Sequence, residues 1–222
     1  MIDNVYKFQG QTFKPKLLPR FGCNFIQAYE ARTKNSSDIW ISVFEKETEY
    51  HKTFSDFDID VRKAQAYIED VAKDKAVICT IGFNSYLHAV FITATLLCQK
   101  TLFLLNPNEN HEFYSNQTEQ LDKPSFAFYD PLLNISIENS AAFSLPETLK
   151  PSSLHVLKTR WSTEFIYVNT SGSTGQSKIV RQSEVAVMSN VAALSEIHQL
   201  DPKSSIATCL PLFHVNALEF SF

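Results

Sequence analysis

Three observations predict an α/β fold with layered parallel or mixed sheets and flanking helices. Strand-like and helix-like segments alternate along most of the 222 residues, the pattern that builds a largely parallel sheet covered by helices. Residues 76–105 hold an apolar strand, a helix apolar almost all round and a second apolar strand. That is a βαβ unit, whose strands run parallel through a right-handed crossover. Finally, Phe165 to Val168 reads as a strand and runs directly into small hydroxyl and glycine residues that end on Lys178. Ligand loops of α/β proteins stand in that position, just past a strand.

The elements follow in order. Residues up to about Pro19 read as an irregular lead-in, and Asn24 to Lys34 as a short helix. Ile39 to Phe44 and Tyr50 to Phe54 read as two strands paired across the charged turn Glu45 to Glu49. Ser55 then opens a helix, with Asp58 three residues on as an acidic variant of the capping box. Phe57, Val61, Ala64, Ile68 and Val71 form its apolar stripe. Ala76 to Ile81 is a buried strand, Gly82 to Ser85 breaks it, and Tyr86 to Cys98 is a helix buried on more than one side. Thr101 to Leu105 is the next strand, ended by Asn106-Pro107. Residues 108–123 start as a helix, Ser125 to Tyr129 is a strand, and 130–162 is connecting structure with short strands. Beyond the small-residue loop come a strand over Ser177 to Gln182, a helix over Glu184 to His198 and an apolar strand over Ser205 to Leu210.

Composition narrows the function. With 44% hydrophobic residues the chain can bury a real core, and its length fits one domain. A net charge of −4 offers no basic field for a nucleic-acid backbone, so any affinity for phosphate has to come from a local site. Cys23, Cys79, Cys98 and Cys209 show neither zinc nor disulfide spacing and read as reduced core residues. His51, His88, His111 and His155 show no metal-ligand spacing, and His198 reads as a helix-end charge. There is no apolar signal region at the N-terminus and no run suited to spanning a bilayer, which makes the cytoplasm the expected compartment.

The loop Thr170-Ser171-Gly172-Ser173-Thr174-Gly175 holds two of the chain's five glycines. Glycines let the backbone approach a ligand closely, and successive N–H groups form an anion-binding nest. The four hydroxyls can donate to phosphate oxygens, and Lys178 adds a point charge. A flexible surface loop has the same composition. The loop is neither a Walker A motif nor a dinucleotide fingerprint: Gly175 lies two residues short of Lys178, and Ile179 follows the lysine.

Residues 170–178 do resemble the signature loop of the adenylate-forming superfamily, which includes acyl- and aryl-CoA synthetases and peptide-synthetase adenylation domains. Its pattern is Thr-Ser-Gly-Ser/Thr-Thr-Gly, a variable residue, then Pro-Lys-Gly. Here Ser177 stands for the proline, Ile179 for the last glycine, and Asn169 for the aromatic before the threonine. A second stretch, residues 210–217 with Pro211-Leu212-Phe213-His214, resembles the superfamily's next motif. The intervening strand, helix and strand match as well. The start of the long helix at Thr53-Phe54 and the 76–107 unit resemble its earlier segments.

The resemblance implies the fold of the large N-terminal domain of acyl-CoA synthetases, with residues 1–222 as a partial AMP-binding domain and the C-terminal domain absent. The implied activity is ATP-dependent activation of a small carboxylic acid to an acyl adenylate, with Mg²⁺, followed by transfer to CoA or a carrier-protein thiol. Thr170, Ser171, Gly172, Ser173, Thr174, Gly175 and Lys178 are then the ATP phosphate-binding residues, with His214 and Phe213 in the acyl or aryl pocket. The superfamily's adenine, ribose and Mg²⁺ residues and its catalytic lysine come later than Phe222. The chain is therefore expected to be an inactive N-terminal portion that contains no catalytic residue. The apolar run Val215 to Phe222 is then expected to be exposed, and a dimer through it is conceivable. The alternative is a natural half-protein that binds nucleotide or a partner chain without catalysis; inward packing of Val215, Leu218, Phe220 and Phe222 favours it.

Overall fold

The computed structural model describes residues 6–8, 11–13, 24–32, 37–45, 48–135, 137–147, 150–152, 161–170, 177–201, 204–207 and 209–221. The lead-in is more regular than expected: β1 (Tyr6–Phe8) and β2 (Gln11–Phe13) pair antiparallel. α1 (Phe25–Arg32) starts at a reciprocal cap, where Asn24 Oδ1 accepts from Gln27 N and Gln27 Oε1 accepts from Asn24 N, both at 3.0 Å. β3 (Ile39–Glu45) and β4 (Thr48–Thr53) form the expected antiparallel hairpin.

α2 (Phe54–Val71) begins one residue before Ser55, and its cap lies two residues before it. Its N-cap is Thr53, the last residue of β4, whose extended backbone (φ −70°, ψ 164°) lets strand and helix share one residue. Thr53 Oγ1 accepts from Asp56 N, and Asp56 Oδ2 accepts from Thr53 N, a full capping box worth about 1 kcal/mol. Asp58, free of capping, instead accepts from the Tyr29 hydroxyl at 3.1 Å and Arg62 Nε at 2.8 Å.

The central elements follow expectation: β5 (Val77–Ile81), α3 (Tyr86–Leu97), β6 (Thr101–Leu105), α4 (His111–Glu119) and β7 (Ser125–Tyr129). Among its described residues, the connecting stretch contributes only the short β8 (Ser140–Ala142). β9 (Ile166–Thr170), β10 (Lys178–Gln182), α5 (Glu184–Ile197) and α6 (Val215–Ser221) complete the chain.

The six-stranded sheet has the order β10-β9-β6-β5-β7-β8. It is mixed: β10 runs antiparallel to β9, and every other neighbour is parallel. Alternation along the strands separates two cores. Ile78, Leu102, Leu104, Ile166, Val168 and Phe128 face the side of α2, α3 and α5. Cys79, Ile81, Phe103, Leu105 and Tyr167 face the side of α4 with Tyr114. β5 and β6 are buried along their full length on both faces, so their sequences are continuous apolar runs. Among the described residues, no helix is long and apolar enough to cross a membrane.

Two expectations fail. Residues 204–207, 209 and 210 are not a strand: every described position there is exposed, including Ile206 and Leu210. Neither edge of the sheet, β10 or β8, pairs with them, and an extended segment without a ladder partner is not a strand. Cys209 is exposed, whereas Cys79 is fully buried and its thiol is pushed up to about 12 by that burial.

Candidate functional site at the carboxyl edge of the sheet

The chain moves from β5 to β6 on one side and then, through α4, to β7 on the other side of β5. This reversal makes the carboxyl ends of the central strands the natural binding crevice. Thr170 ends β9 and Lys178 begins β10, and the two are register partners. An antiparallel ladder therefore closes the small-residue loop at this edge. Ser177 Oγ reinforces the closure by donating to Thr170 O at 3.2 Å. Thr170 and Lys178 are both exposed. Ser171, Gly172, Ser173, Thr174 and Gly175 lie outside the described residues. Asn169 points to the opposite face from Thr170, and both its amide atoms are buried with no hydrogen-bond partner among the described residues.

The second motif reaches the same edge by a contact that the sequence did not announce. Asn84, in the turn after β5, donates from Nδ2 to Leu210 O at 2.9 Å and accepts at Oδ1 from Leu212 N at 2.7 Å. A turn follows, with His214 N donating to Pro211 O at 2.9 Å, and α6 starts as Leu218 N donates to His214 O at 3.2 Å. His214 is exposed and its ring lies 4.6 Å from that of half-buried Phe213. The two motifs are thus anchored on β9 and β5, with only β6 between them, about 10 Å apart.

The apolar run after His214 packs inward more than expected. Leu218 is 1% exposed, and Val215 packs against the cluster of Leu102, Ile166 and Leu212. The exposed dimer surface expected there loses Leu218. The side chain of Phe220 and the whole of Phe222 lie outside the described residues.

Two charged or titratable groups matter here that sequence reading passed over. His88 is fully buried on α3 beneath this edge. Its Nδ1 lies 3.0 Å from Phe83 O, and a carbonyl can only accept, so Nδ1 carries the proton. Nε2 then accepts from Thr80 Oγ1 at 3.2 Å, and the ring stacks on Phe143. Burial pushes the imidazole down to about 4 despite the Phe83 carbonyl and Asp130, which favour its charge. Glu184 is 5% exposed, and its oxygens accept from Phe25 N at 2.9 Å and Ser162 N at 2.8 Å. Both oxygens serve the fold, so Glu184 is not a free base. A histidine next to a helix cap and a glutamate at a helix start carry no sequence signal for such burial.

A 380 Å³ cavity opens at the opposite, amino-terminal edge, lined by Lys75, Lys100, Thr101, Lys123, Ser162 and Glu164 among others. Two of its three lysines are already engaged: Lys100 Nζ donates to the carbonyls of Ala72, Lys73 and Lys75, and Lys123 pairs with Glu164. At the edge away from the two motifs, Lys100 and Lys123 therefore serve the fold.

No protein-family model matches the sequence, and neither does any curated protein. Solved structures do. An adenylation domain of a keto acid-selecting NRPS module, bound to keto acyl adenylate, superposes with a TM-score of 0.75 at 14% identity, over 89% of this chain and 39% of that one. O-succinylbenzoate coenzyme A synthetase (MenE) from Bacillus subtilis, in complex with AMP, matches with a TM-score of 0.72 at 15% identity, over 87% of this chain and 51% of that one. The N-terminal domain of FACL13 from Mycobacterium tuberculosis matches at 0.72 and 17%, over 89% of this chain and 54% of that one. The chain has the fold of the N-terminal part of adenylate-forming enzymes and spans 39 to 54% of the length of these three neighbours.

Proposed function

We propose that this chain is the phosphate-gripping and acid-binding portion of an ATP-dependent, carboxylate-activating ligase. The observation that carries the reading is the placement of Thr170 and Lys178 as facing residues that close the small-residue loop at the carboxyl edge, with the His214 motif pinned two strands away. In the reaction, an oxygen of the carboxylic acid attacks the α-phosphorus of ATP. The new bond is acyl–O–P, the bond to the β-phosphate oxygen breaks, and pyrophosphate leaves. The hydroxyls of Thr170, Ser171, Ser173 and Thr174, the backbone at Gly172 and Gly175, and the Lys178 ammonium hold the β- and γ-phosphates. They orient the leaving group and absorb its charge. His214 and Phe213 form a wall of the acyl or aryl pocket. Mg²⁺ accompanies the ATP, and the resemblance places most of its ligands later than Phe222. CoA or a carrier-protein thiol is the acceptor class, and the cytoplasm is the compartment that supplies ATP and CoA.

The test is a calorimetric titration of the 222-residue chain with Mg·ATP. Binding is expected, and Lys178→Ala should weaken it about tenfold, equivalent to about 1.4 kcal/mol. Absence of binding, or equal affinity in Lys178→Ala, overturns the reading. The chain alone is expected to show no carboxylate-dependent ATP–pyrophosphate exchange with octanoate or benzoate. Exchange would mean that these residues suffice for chemistry.

Inward packing of Leu218 and Val215 favours a second reading, a half-protein that binds nucleotide or a partner chain without catalysis. Under it Mg·ATP still binds, and exchange stays absent in extracts of the source cell that contain this polypeptide at its native size.

A further inference from the structure

The segment carrying Phe213 and His214 is held in two different ways. Leu212 and Leu218 are buried in the cluster with Leu102 and Ile166. Apolar burial of this kind holds a segment down but does not set its register, because it is non-directional. The directional contacts come from Asn84, and they reach across 126 and 128 residues. Its carboxamide presents one donor and one acceptor to a carbonyl and an N–H two residues apart, imitating a bridge between two strands. Between those partners lies Pro211, which has no N–H to offer.

The base from which Asn84 projects is itself braced. Ser85 caps α3 by accepting from His88 N, and His88 Nδ1 holds the Phe83 carbonyl. Gly82 is packed so tightly that a Cβ there would stand 2.8 Å from Phe143 Cε2 and 3.0 Å from His88 Nδ1. The turn carrying Asn84 is therefore tightly packed, while the described residues leading up to Leu210, 204–207 and 209, pair with no strand.

We propose that Asn84 is a positioning residue: by clamping Leu210 and Leu212 to the end of β5, it fixes where Phe213 and His214 stand at the carboxyl edge. This deepens the reading of His214 as a pocket wall and rests on it.

The test needs no substrate. In the 222-residue chain, amide hydrogen exchange at Leu212 and the ring signals of His214 are compared by NMR in the parent, Asn84→Ala and Asn84→Asp. In Asn84→Ala, Leu212 is expected to exchange at least tenfold faster. The His214 ring signals should move as its geometry with Phe213 loosens, with the melting temperature nearly unchanged. Asn84→Asp keeps the acceptor for Leu212 N but sets a carboxylate oxygen against Leu210 O, and should give a smaller increase, about threefold. Leu212 exchange within twofold of the parent in both variants, with His214 signals unmoved, overturns the proposal. If the alanine variant does not fold, the aspartate variant decides alone. A parallel Mg·ATP titration separates the two ideas: loss of binding in the parent sinks the ligase reading and leaves the Asn84 result standing.

Discussion

Replacing Glu184 with alanine is expected to lower the unfolding free energy by about 3 kcal/mol. Its carboxylate accepts two charge-assisted bonds while nearly buried, from Phe25 N and Ser162 N. Such bonds contribute about 1.5 to 3 kcal/mol each, and removing the acceptor strands two backbone donors. The carboxylate also stands at two helix N-termini, those of α1 and α5, where a negative charge is favoured. Glu184→Gln should cost roughly half as much, because its oxygen can still serve one N–H while its amide nitrogen faces the other. Urea unfolding followed by circular dichroism checks both. A loss below about 1 kcal/mol in the alanine variant would mean that α1 docks through Phe25 and Tyr29 alone.

The second large effect is a pH dependence set by His88. The ordinary value of its imidazole is 6.5, and burial pushes it down to about 4 in the folded chain. The folded state therefore keeps His88 neutral where the unfolded chain binds a proton. Stability is complete above pH 6.5 and is lost as pH falls toward 4. Linkage gives a loss of about 2 kcal/mol between pH 7 and pH 5. The carboxylates of Asp56, Asp122 and Glu164 are held below their ordinary values by hydrogen bonds to Thr53, Arg181 and Lys123 respectively, so their losses begin at lower pH. The interval from pH 7 to pH 5 is left to the histidine. Urea midpoints across it should fall in the parent and stay level in His88→Gln, after allowing for the lower starting stability of the variant. Equal slopes in the two proteins would overturn the assignment.

What was legible in the sequence depended on how far away the deciding partner lay. β5, α3 and β6 were readable because burial on both faces leaves a continuous apolar run that needs no other information. The loop 170–178 and the motif 210–217 stood out by their residue types, and the described ends of both reach the same edge of the sheet. The capping pattern placed the cap of α2 at Ser55, two residues late, because Thr53 ends β4, although the resemblance had pointed to Thr53-Phe54 as the helix start. Ser205 to Leu210 was misread because its apolar residues suggested a strand, while pairing depends on a neighbour that the sheet does not supply. Glu184, His88 and Asn84 were passed over for a related reason. Glu184 and Asn84 take their meaning from groups more than a hundred residues away, and His88 from its burial under Phe143.

Lys100, at the far edge, has a consequence for the chain's chemical reactivity. Its ammonium donates to the carbonyls of Ala72, Lys73 and Lys75 at 3.1, 3.0 and 2.9 Å, so all three of its protons are engaged. An amine acylates only through a free lone pair, and Lys100 would have to surrender a proton and dismantle the turn after α2 to expose one. An acylating reagent therefore meets a protected amine at Lys100, whereas Lys73, in the same turn, is exposed.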